Sequence, residues 1–438
     1  MTVETRSESA ALYERAKRVL PGGVSRNTVL RSPHPHYAAS AAGCRVTDIE
    51  GVERIDFANN MASLIHGHSH PAIVAAVTEQ LGKGTAYTLA TEVEIAFAEH
   101  LLSRNDDFDK LRFVNSGTEA TMAAVKAARA FTGRAKIAKV EGAYHGQYDY
   151  AEVSQTANPS NWGSAEAPAS VPVASGTPVA VLADVVVIPF DDPEHAVAIL
   201  DEHRGEIAAV LFDVMPHRVG LVPASFEFVS AMREWTRADG ALLVIDEVIT
   251  FRSAYGGAHT AYDLKPDLVA MGKMIGGGFP VGAIAGRGEV MEVMNPLADN
   301  VLFPHSGTFS ANPVTMTAGL TAMELFDRSE VDRVNGLARR AMDGIERAIA
   351  ATGVTACVTG AGSMFRVHLK ERPPRNYREA YATPDEARRL TALLDHLFEA
   401  GFMMINTCSA TISTPMGEGE IDELVAAMER GFRKLGSG

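Results

Sequence analysis

The chain has 438 residues, of which 46% are hydrophobic and 21% are charged, a composition typical of an ordinary globular protein. Because this length exceeds the usual size of one domain, we expect two domains, each with its own hydrophobic core. The 40 basic and 54 acidic residues give a formal net charge of −14, which disfavours nucleic acid and acidic membrane surfaces as partners.

The N-terminal region begins with a polar, amphipathic segment that has no apolar centre and is unlike a secretion signal. No apolar run approaches the roughly 20 residues of a membrane-spanning helix, so we expect a cytoplasmic protein. Helical spacing over residues 8–20 predicts a helix that ends at Pro21-Gly22-Gly23, and residues 37–57 predict short strands. The three cysteines lie far apart, which argues against a disulfide framework and gives no metal-binding spacing.

Three histidines, His66, His68 and His70, occupy alternate positions of the loop 66–71. In an extended strand they would lie on one face, where they could chelate a metal. No carboxylate or cysteine is in phase nearby, however, and Pro71 closes the segment before a predicted helix. We therefore expect a structural loop and no metal site.

Two helices are predicted between residues 71 and 102, and a strand at 111–114 then runs directly into the turn Asn115-Ser116-Gly117-Thr118. A helix continues from this turn to Ala130. Free amide groups and the dipole at a helix N-terminus attract anions, so the turn is suited to a phosphate group. The alternative is that Ser116 or Thr118 acts only as a helix N-cap, and the two roles are compatible.

A second turn follows the strand predicted at residues 136–140 and reads Glu141-Gly142-Ala143-Tyr144-His145-Gly146. The glycines on both sides of Tyr144 and His145 leave room for the close approach of a flat ligand. Residues 154–181 are rich in Ala, Ser, Pro and Gly and have no periodicity, which predicts a long loop. Strands are predicted again at 185–188 and 208–212.

The segment 241–278 combines two buried-strand patterns with reactive polar residues. Residues 241–245 are five consecutive apolar residues, as in a parallel strand that is buried on both faces, and Asp246 follows them. Residues 268–271 predict a neighbouring strand, after which Lys273 stands among glycines. Since ligands bind beyond the carboxyl ends of parallel strands, Asp246 and Lys273 should face one crevice.

An amine and a carboxylate in one crevice are what pyridoxal phosphate requires. The cofactor needs a lysine for its Schiff base and an aspartate beside its pyridinium nitrogen. Each residue alone also has an ordinary interpretation, with Lys273 as a solvated loop lysine and Asp246 as a turn residue.

The Asp-Glu-Val triplet at 246–248, followed by Gly-Lys and a glycine run, resembles the class III (ω-type) aminotransferases of the fold-type I pyridoxal-phosphate superfamily. The resemblance spans nearly the whole chain and is to the branch that contains glutamate-1-semialdehyde aminomutase and the β-amino-acid aminotransferases. It implies a large α/β domain at 61–312, with a mostly parallel sheet flanked by helices. A smaller α+β domain would comprise residues 313–438, joined by the N-terminal segment 1–60.

The resemblance also implies roles for individual residues. Lys273 would form the Schiff base with pyridoxal 5′-phosphate, and Asp246 would hold the ring nitrogen. Tyr144, in a motif similar to the family's Gly-x-Tyr-His-Gly, would stack on one face of the ring, and Val248 would press on the other. The cofactor-binding residues implied in this way are Ser116, Gly117, Thr118, Tyr144, His145, Asp246, Val248, Lys273 and Thr308.

Residues 301–312 are similar to the family segment whose Gly-Thr reaches the cofactor phosphate of the opposite subunit. Thr308 therefore implies a homodimer. In this branch a mobile loop near 154–181 covers the active site, so Trp162 would close over substrate, and a passive surface loop is the alternative.

Two segments bear on the substrate. Pro-Gly-Gly-Val-Ser-Arg at 21–26 resembles the N-terminal segment of β-amino-acid aminotransferases that supplies a carboxylate-binding arginine, here Arg26. The alternative for Arg26 is a solvated loop residue. Most family members have Glu-Pro after the strand 208–212, whereas this chain has Asp213-Val214, with His217 and Arg218 beyond, which indicates a remodelled substrate pocket.

The predicted function is ping-pong transfer of an amino group between an amino acid, β-amino acids included, and a 2-oxo acid through Lys273. The alternative is intramolecular transfer of the glutamate-1-semialdehyde 2,1-aminomutase type. Aminomutases of this branch carry Asn-Ser-Pro-Val-Arg after Pro-Gly-Gly-Val, whereas this chain has Ser25-Arg26-Asn27-Thr28. A cofactor-binding protein without catalysis would not need Lys273, Asp246 and Tyr144 together, and an NAD oxidoreductase is disfavoured because the dinucleotide fingerprint is missing.

Overall fold

Three sheets and their flanking helices make up residues 7–436, the part of the chain that this computed structural model describes. The strands are β1 Ala38–Ala42, β2 Arg45–Asp48, β3 Glu53–Asp56, β4 Lys110–Val114, β5 Lys136–Val140, β6 Val185–Ile188, β7 Ile207–Phe212, β8 Leu242–Asp246, β9 Leu268–Gly272, β10 Gly282–Gly286, β11 Cys357–Ala361, β12 Met364–His368, β13 Phe402–Met403 and β14 Ser409–Thr411. The helices are α1 Glu8–Ala16, α2 Asn59–Ala62, α3 Pro71–Lys83, α4 Glu92–Leu102, α5 Gly117–Thr132, α6 Asp149–Glu152, α7 Val179–Ala183, α8 Pro193–Asp201, α9 Phe226–Asp239, α10 Gly288–Met291, α11 Pro313–Leu325, α12 Arg328–Thr352, α13 Tyr377–Ala380, α14 Pro384–Glu399 and α15 Glu418–Gly436.

The largest sheet has seven strands in the order β4-β10-β9-β8-β7-β5-β6. Strand β10 is antiparallel to both of its neighbours, β4 and β9, whereas the remaining pairs are parallel. Helices α5 and α9 pack against its central strands. The expected fold class, a mostly parallel sheet flanked by helices with a smaller α+β unit, is confirmed.

Strand β8 shows why an apolar run without alternation predicts a central strand. Leu242 and Val244 belong to the hydrophobic cluster that contains the α5 side chains, whereas Leu243 and Ile245 belong to the cluster that contains those of α9. Successive side chains point to opposite faces, and both faces are covered by helices. Every position is therefore apolar until the strand ends at Asp246.

The smaller unit is built from both ends of the chain. Strand β13 from the C-terminal region pairs in parallel with β3 and completes the sheet β1-β2-β3-β13. A second sheet has the order β11-β12-β14, and helix α12 packs on its strands β11 and β12. Helix α15 packs on α12 and α14, and α14 packs on β13. The domain boundary at 312/313 stays a prediction. Helix α11, immediately beyond it, packs against α3 and α4.

Most elements fall where the sequence predicts them, with small differences at the ends. Helix α1 ends at Ala16, and residues 17–20 form hydrogen-bonded turns in place of the expected last helical turn. The segment 154–181 is a loop as expected, except that α7 begins at Val179. Within residues 7–436 no helix is long and apolar enough to span a membrane.

Candidate active site

The ends of strands β8 and β9 bring Asp246 and Lys273 together as the sequence predicts. The two strands are parallel neighbours, and Asp246 pairs with Ala270. Lys273 opens a short 3₁₀ turn with φ +48°, a left-handed conformation that is uncommon for a residue with a side chain. Burial lowers the pKa of Lys273, and the nearby carboxylates of Asp246 and Asp213 oppose part of that shift. The lowered pKa favours the neutral amine, which is the nucleophilic form.

The Asp246 carboxylate is held in place by two hydrogen bonds. Its Oδ2 lies 2.7 Å from Nδ1 of the buried His145, and its Oδ1 accepts a bond of 2.9 Å from the amide of Val248. Burial lowers the pKa of His145, so the ring is neutral and donates from Nδ1 to the carboxylate. These contacts fix the orientation of Asp246 and leave lone pairs free for another donor.

The turn before α5 adjoins this pair. Ser116 Oγ accepts a hydrogen bond of 3.1 Å from the amide of Glu119, so the N-cap role considered for Ser116 is present. The Cα of Gly117 lies 3.4 Å from where a Cβ at Gly272 would stand, directly before Lys273. The amides of the first helical turn therefore open beside the lysine, where they can bind an anion.

Two glycines allow the surrounding loops to approach α5. A Cβ at Gly117 would stand 2.7 Å from Cγ1 of Val248, so only glycine fits there without displacing that side chain. A Cβ at Gly146 would stand 2.5 Å from Oγ1 of Thr118, and the amide of Gln147 donates to the same oxygen at 3.3 Å. The loop with Tyr144 and His145 is thus packed onto the helix N-terminus.

Lys273 opens into a cleft of about 900 Å³ that is lined by parts of both units. Tyr144, 44% exposed, and Arg26 line the same cleft. Arg26 Nη1 donates a hydrogen bond of 2.7 Å to Oδ1 of Asn60 in α2. Helix α2 is in fact one left-handed turn, with φ between +45° and +69° at four consecutive non-glycine residues, and such strain is frequent at ligand sites.

Other residues of the cleft were not given roles from the sequence. Asp213 is buried beside Lys273, and its pKa is raised well above the usual value, first by burial and then by Asp246. His217, Arg218 and Arg366 also line the cleft. The missing Glu-Pro after β7 is the sequence signal for Asp213, His217 and Arg218. Strand β12 carries no sequence signal that would single out Arg366.

These groups fit pyridoxal phosphate. The chain provides an amine of lowered pKa and an exposed aromatic ring that line one cleft, together with a carboxylate fixed by His145 and an open helix N-terminus that both lie near the lysine. They match the aldehyde, the ring nitrogen, the ring face and the phosphate of the cofactor, respectively.

A family model, aminotransferase class-III, matches residues 29–417. The chain belongs to the class III aminotransferases. Pyridoxal phosphate is the cofactor of this family, and the enzyme status predicted from the sequence is confirmed.

Relatives of this class III aminotransferase carry two kinds of name. Glutamate-1-semialdehyde 2,1-aminomutase of Methanothermobacter thermautotrophicus is 42% identical over 378 residues, which covers 85% of this chain and 86% of that protein. The crystal structure of an omega-transaminase from Sphaerobacter thermophilus is 46% identical with a TM-score of 0.96, covering 99% of both chains. A beta-phenylalanine aminotransferase from Variovorax paradoxus is 32% identical with a TM-score of 0.85, covering 96% of this chain and 93% of that one.

Trp162 packs on the C-terminal unit behind the cleft. Its ring contacts those of Tyr377 and Tyr381 edge-on, at 6.4 and 5.6 Å between ring centroids, and both tyrosines line the cleft. Its carbonyl accepts a hydrogen bond of 2.7 Å from Arg378, which also pairs with Glu141. The loop therefore packs against residues that line one side of the cleft. Closure of Trp162 over substrate stays a prediction.

Two of the alternating histidines have hydrogen-bond partners elsewhere in this class III aminotransferase. His68 Nε2 lies 2.9 Å from Oδ2 of Asp56, a carboxylate that the local sequence does not reveal. His66 is bonded through its two ring nitrogens to Thr414 Oγ1 and to the carbonyl of Ala322. These bonds tie the loop to β3 and to the C-terminal region, as a structural loop requires.

Proposed function

We propose that this class III aminotransferase moves an amino group from an amino acid, β-amino acids included, to a 2-oxo acid. The observation that carries the proposal is that Lys273 and Arg26 line the same cleft, so a reactive amine and a carboxylate-binding cation face one substrate. The guanidinium group of Arg26 can bind both carboxylate oxygens, and its present partner, the neutral amide of Asn60, leaves its charge uncompensated.

When bound, the cofactor draws electrons into its ring and so acidifies the hydrogen on the substrate carbon that carries the amine. We propose that Lys273 Nζ would hold the cofactor and, once free, would move the proton of that carbon as general base and acid. Asp246, oriented by His145, would hold the ring nitrogen. Tyr144 and Val248 would flank the ring, and Ser116, Gly117 and Thr118 would bind the phosphate.

A second candidate is intramolecular amino transfer of the glutamate-1-semialdehyde 2,1-aminomutase type. The curated relatives, 34–42% identical, carry this name and support it better than they support transfer between separate substrates. Intermolecular transfer is favoured by the omega-transaminase, which is more similar and covers more of the chain. Intermolecular transfer is also favoured by the departure from the aminomutase pattern at Ser25-Arg26-Asn27-Thr28.

The two candidates differ in their need for a second substrate. Purified holoenzyme should convert an amino acid to its oxo acid only when a 2-oxo acid is added, and Lys273→Ala should abolish this turnover. Conversion of glutamate-1-semialdehyde to 5-aminolevulinate without any added oxo acid, at a rate above that of intermolecular transfer, would overturn the proposal in favour of the aminomutase. Chromatography of the products measures both reactions on one preparation.

We also propose a homodimer in which Thr308 of each subunit contacts the cofactor phosphate of the other. Thr308 is exposed, and so are the large apolar side chains of Leu297, Leu302 and Phe309 around it, which is expected of a surface that a partner covers. Within one chain, Asn115 Nδ2 is already 3.4 Å from Ser310 Oγ, so a contact in the same subunit is the alternative.

A further inference from the structure

Arg218 and Arg366 line the cleft without a carboxylate partner. Arg218 lies in the 3₁₀ turn after β7, and Arg366 lies in β12, so the two come from different units of the fold. Within residues 7–436 neither arginine forms an ion pair, and the buried Nε of each has no hydrogen-bond partner. Arg366 Nη1 donates a hydrogen bond of 3.1 Å to the carbonyl of His217. This bond uses only part of the hydrogen-bonding capacity of the Arg366 guanidinium group.

The surroundings of the two guanidinium groups are cationic. Burial, with the charges of Arg366, Lys273 and Arg218, lowers the pKa of His217 to about 3, so this ring is neutral and supplies no charge of its own. Burial lowers the pKa of Arg366 to about 10, and Arg218 contributes to the shift, so Arg366 stays charged near neutral pH. The carboxyl group among the cleft-lining residues, Asp213, has a raised pKa and is a poor counter-ion.

Arg252, an arginine with only structural contacts, differs from Arg218 and Arg366 in its hydrogen bonding. Arg252 is fully buried, and its three donor nitrogens are bonded to Ser363 Oγ at 2.8 Å, to the carbonyl of Ala62 at 3.2 Å and to the carbonyl of Ile412. Arg218, which shares a hydrogen bond with Tyr377, and Arg366 lack such saturation, although both line a cleft of ligand size. Two like charges that share a partly dry cavity are stabilised when an anion binds between them.

We propose that Arg218 and Arg366 form a second anion site, which binds the distal carboxylate of a dicarboxylic amino acid or 2-oxo acid. The inference rests on the proposed function and deepens it, because Arg26 takes the carboxylate of a monocarboxylic substrate and the arginine pair adds a second one. A planar guanidinium matches a carboxylate. The proposed position of the cofactor phosphate is the N-terminus of α5, so that phosphate does not account for the arginine pair.

The test compares binding of glutarate and valerate to the holoenzyme by calorimetry. Both have five carbons, and only glutarate carries a second carboxylate. We expect glutarate to bind about tenfold more tightly than valerate to the wild-type protein. Arg218→Gln should remove this preference and leave valerate binding unchanged within about twofold. Arg339→Gln, at an exposed position of α12, is the matched control and should leave both affinities unchanged.

Arg366→Gln should also remove the preference, and a thermal melt shows whether it folds. Arg218 is half-buried in a turn, so its variant decides the question if the substitution in β12 disrupts folding. Equal affinity for glutarate and valerate in the wild type would overturn the inference, and so would a preference that survives Arg218→Gln. Inorganic phosphate that binds as tightly as glutarate, and is lost in Arg218→Gln, would overturn the carboxylate assignment.

The calorimetric test measures binding and not turnover, so its result can contradict the anion site without contradicting the proposed function, and the reverse also holds. A glutarate preference in a protein without intermolecular amino transfer leaves the anion site intact and removes only the proposed function. Turnover that accepts monocarboxylic oxo acids alone, with no glutarate preference, removes only the anion site.

Discussion

At the scale of single residues, the site depends on a few side chains whose protonation and orientation are set by their neighbours. His145 is neutral and buried, so it orients Asp246 by one short hydrogen bond. Lys273 carries a positive φ at the end of a buried strand, and burial lowers its pKa. Lys139, which is fully buried, instead donates to three carbonyl groups and has no free position for a ligand. Hydrogen bonding therefore distinguishes this structural lysine from Lys273, for which a reactive role is proposed.

Arg26→Ala should lower kcat/KM for amino acids by roughly ten- to a hundred-fold, since a charge-assisted hydrogen bond contributes about 1.5–3 kcal/mol. Amines that lack the carboxylate should be much less affected. Arg18→Ala, an exposed arginine of the same segment, is the control and should behave like the wild type. An equal loss toward an amino acid and its decarboxylated analogue would show that Arg26 does not bind the carboxylate.

At the scale of elements, the proposed cofactor site lies where three strand-to-loop junctions meet. Strands β8 and β9 supply the acid and the amine, and the junction of β4 with α5 supplies the helix N-terminus. The parallel order of β8 and β9 forces their carboxyl ends to the same edge of the sheet. The junctions contact each other closely, so small residues are required between them.

Gly117→Ala tests this close packing. The new Cβ would stand 2.7 and 2.9 Å from the two γ-carbons of Val248, so that side chain must move toward the proposed position of the cofactor ring. Overpacking of this size costs about 1–2 kcal/mol, and we expect the dissociation constant for pyridoxal phosphate to rise roughly tenfold. Val248→Ala in the same protein should restore much of the affinity because the clash is gone. Unchanged cofactor binding in Gly117→Ala, measured by absorbance titration, would contradict the placement of Val248.

At the scale of the whole molecule, the cleft lies where the two units meet. The N-terminal segment contributes Arg26, the large sheet contributes Lys273, and β12 of the C-terminal unit contributes Arg366. Strand β13 of the C-terminal region pairs with β3 of the N-terminal segment, so the two regions share one sheet. A relative movement of the two units would therefore change the distance between the carboxylate-binding residues and the amine.

The shared dimer site is tested with hybrids of two inactive variants. Lys273→Ala removes the amine, and Thr308→Asp places a negative charge where the phosphate is expected to bind. If Thr308 acts across the interface, each mixed dimer contains one complete site, and equal mixing should restore about a quarter of the wild-type activity. If Thr308 acts within its own subunit, no hybrid has a complete site. A wild-type protein that is monomeric and fully active at assay concentration would also contradict the proposal.

The sequence by itself determined the fold class, the strand ends that carry Asp246 and Lys273, and the turn before α5. These features are local, because a buried parallel strand must be apolar at every position and a strand-end residue must face the ligand edge. The family and its cofactor followed from the same motifs, and the match over residues 29–417 confirmed them.

Only the tertiary structure decided which distant residues share the cleft. Arg218 and Arg366 are far apart in sequence, and although the departure after β7 draws attention to Arg218, nothing in the sequence pairs it with Arg366. Whether every donor nitrogen of an arginine is bonded, as in Arg252, or the Nε is left without a partner depends on acceptors that folding brings from other elements. The Asp56 partner of His68 could not be predicted either, because a hydrogen bond between separate elements produces no pattern in the sequence.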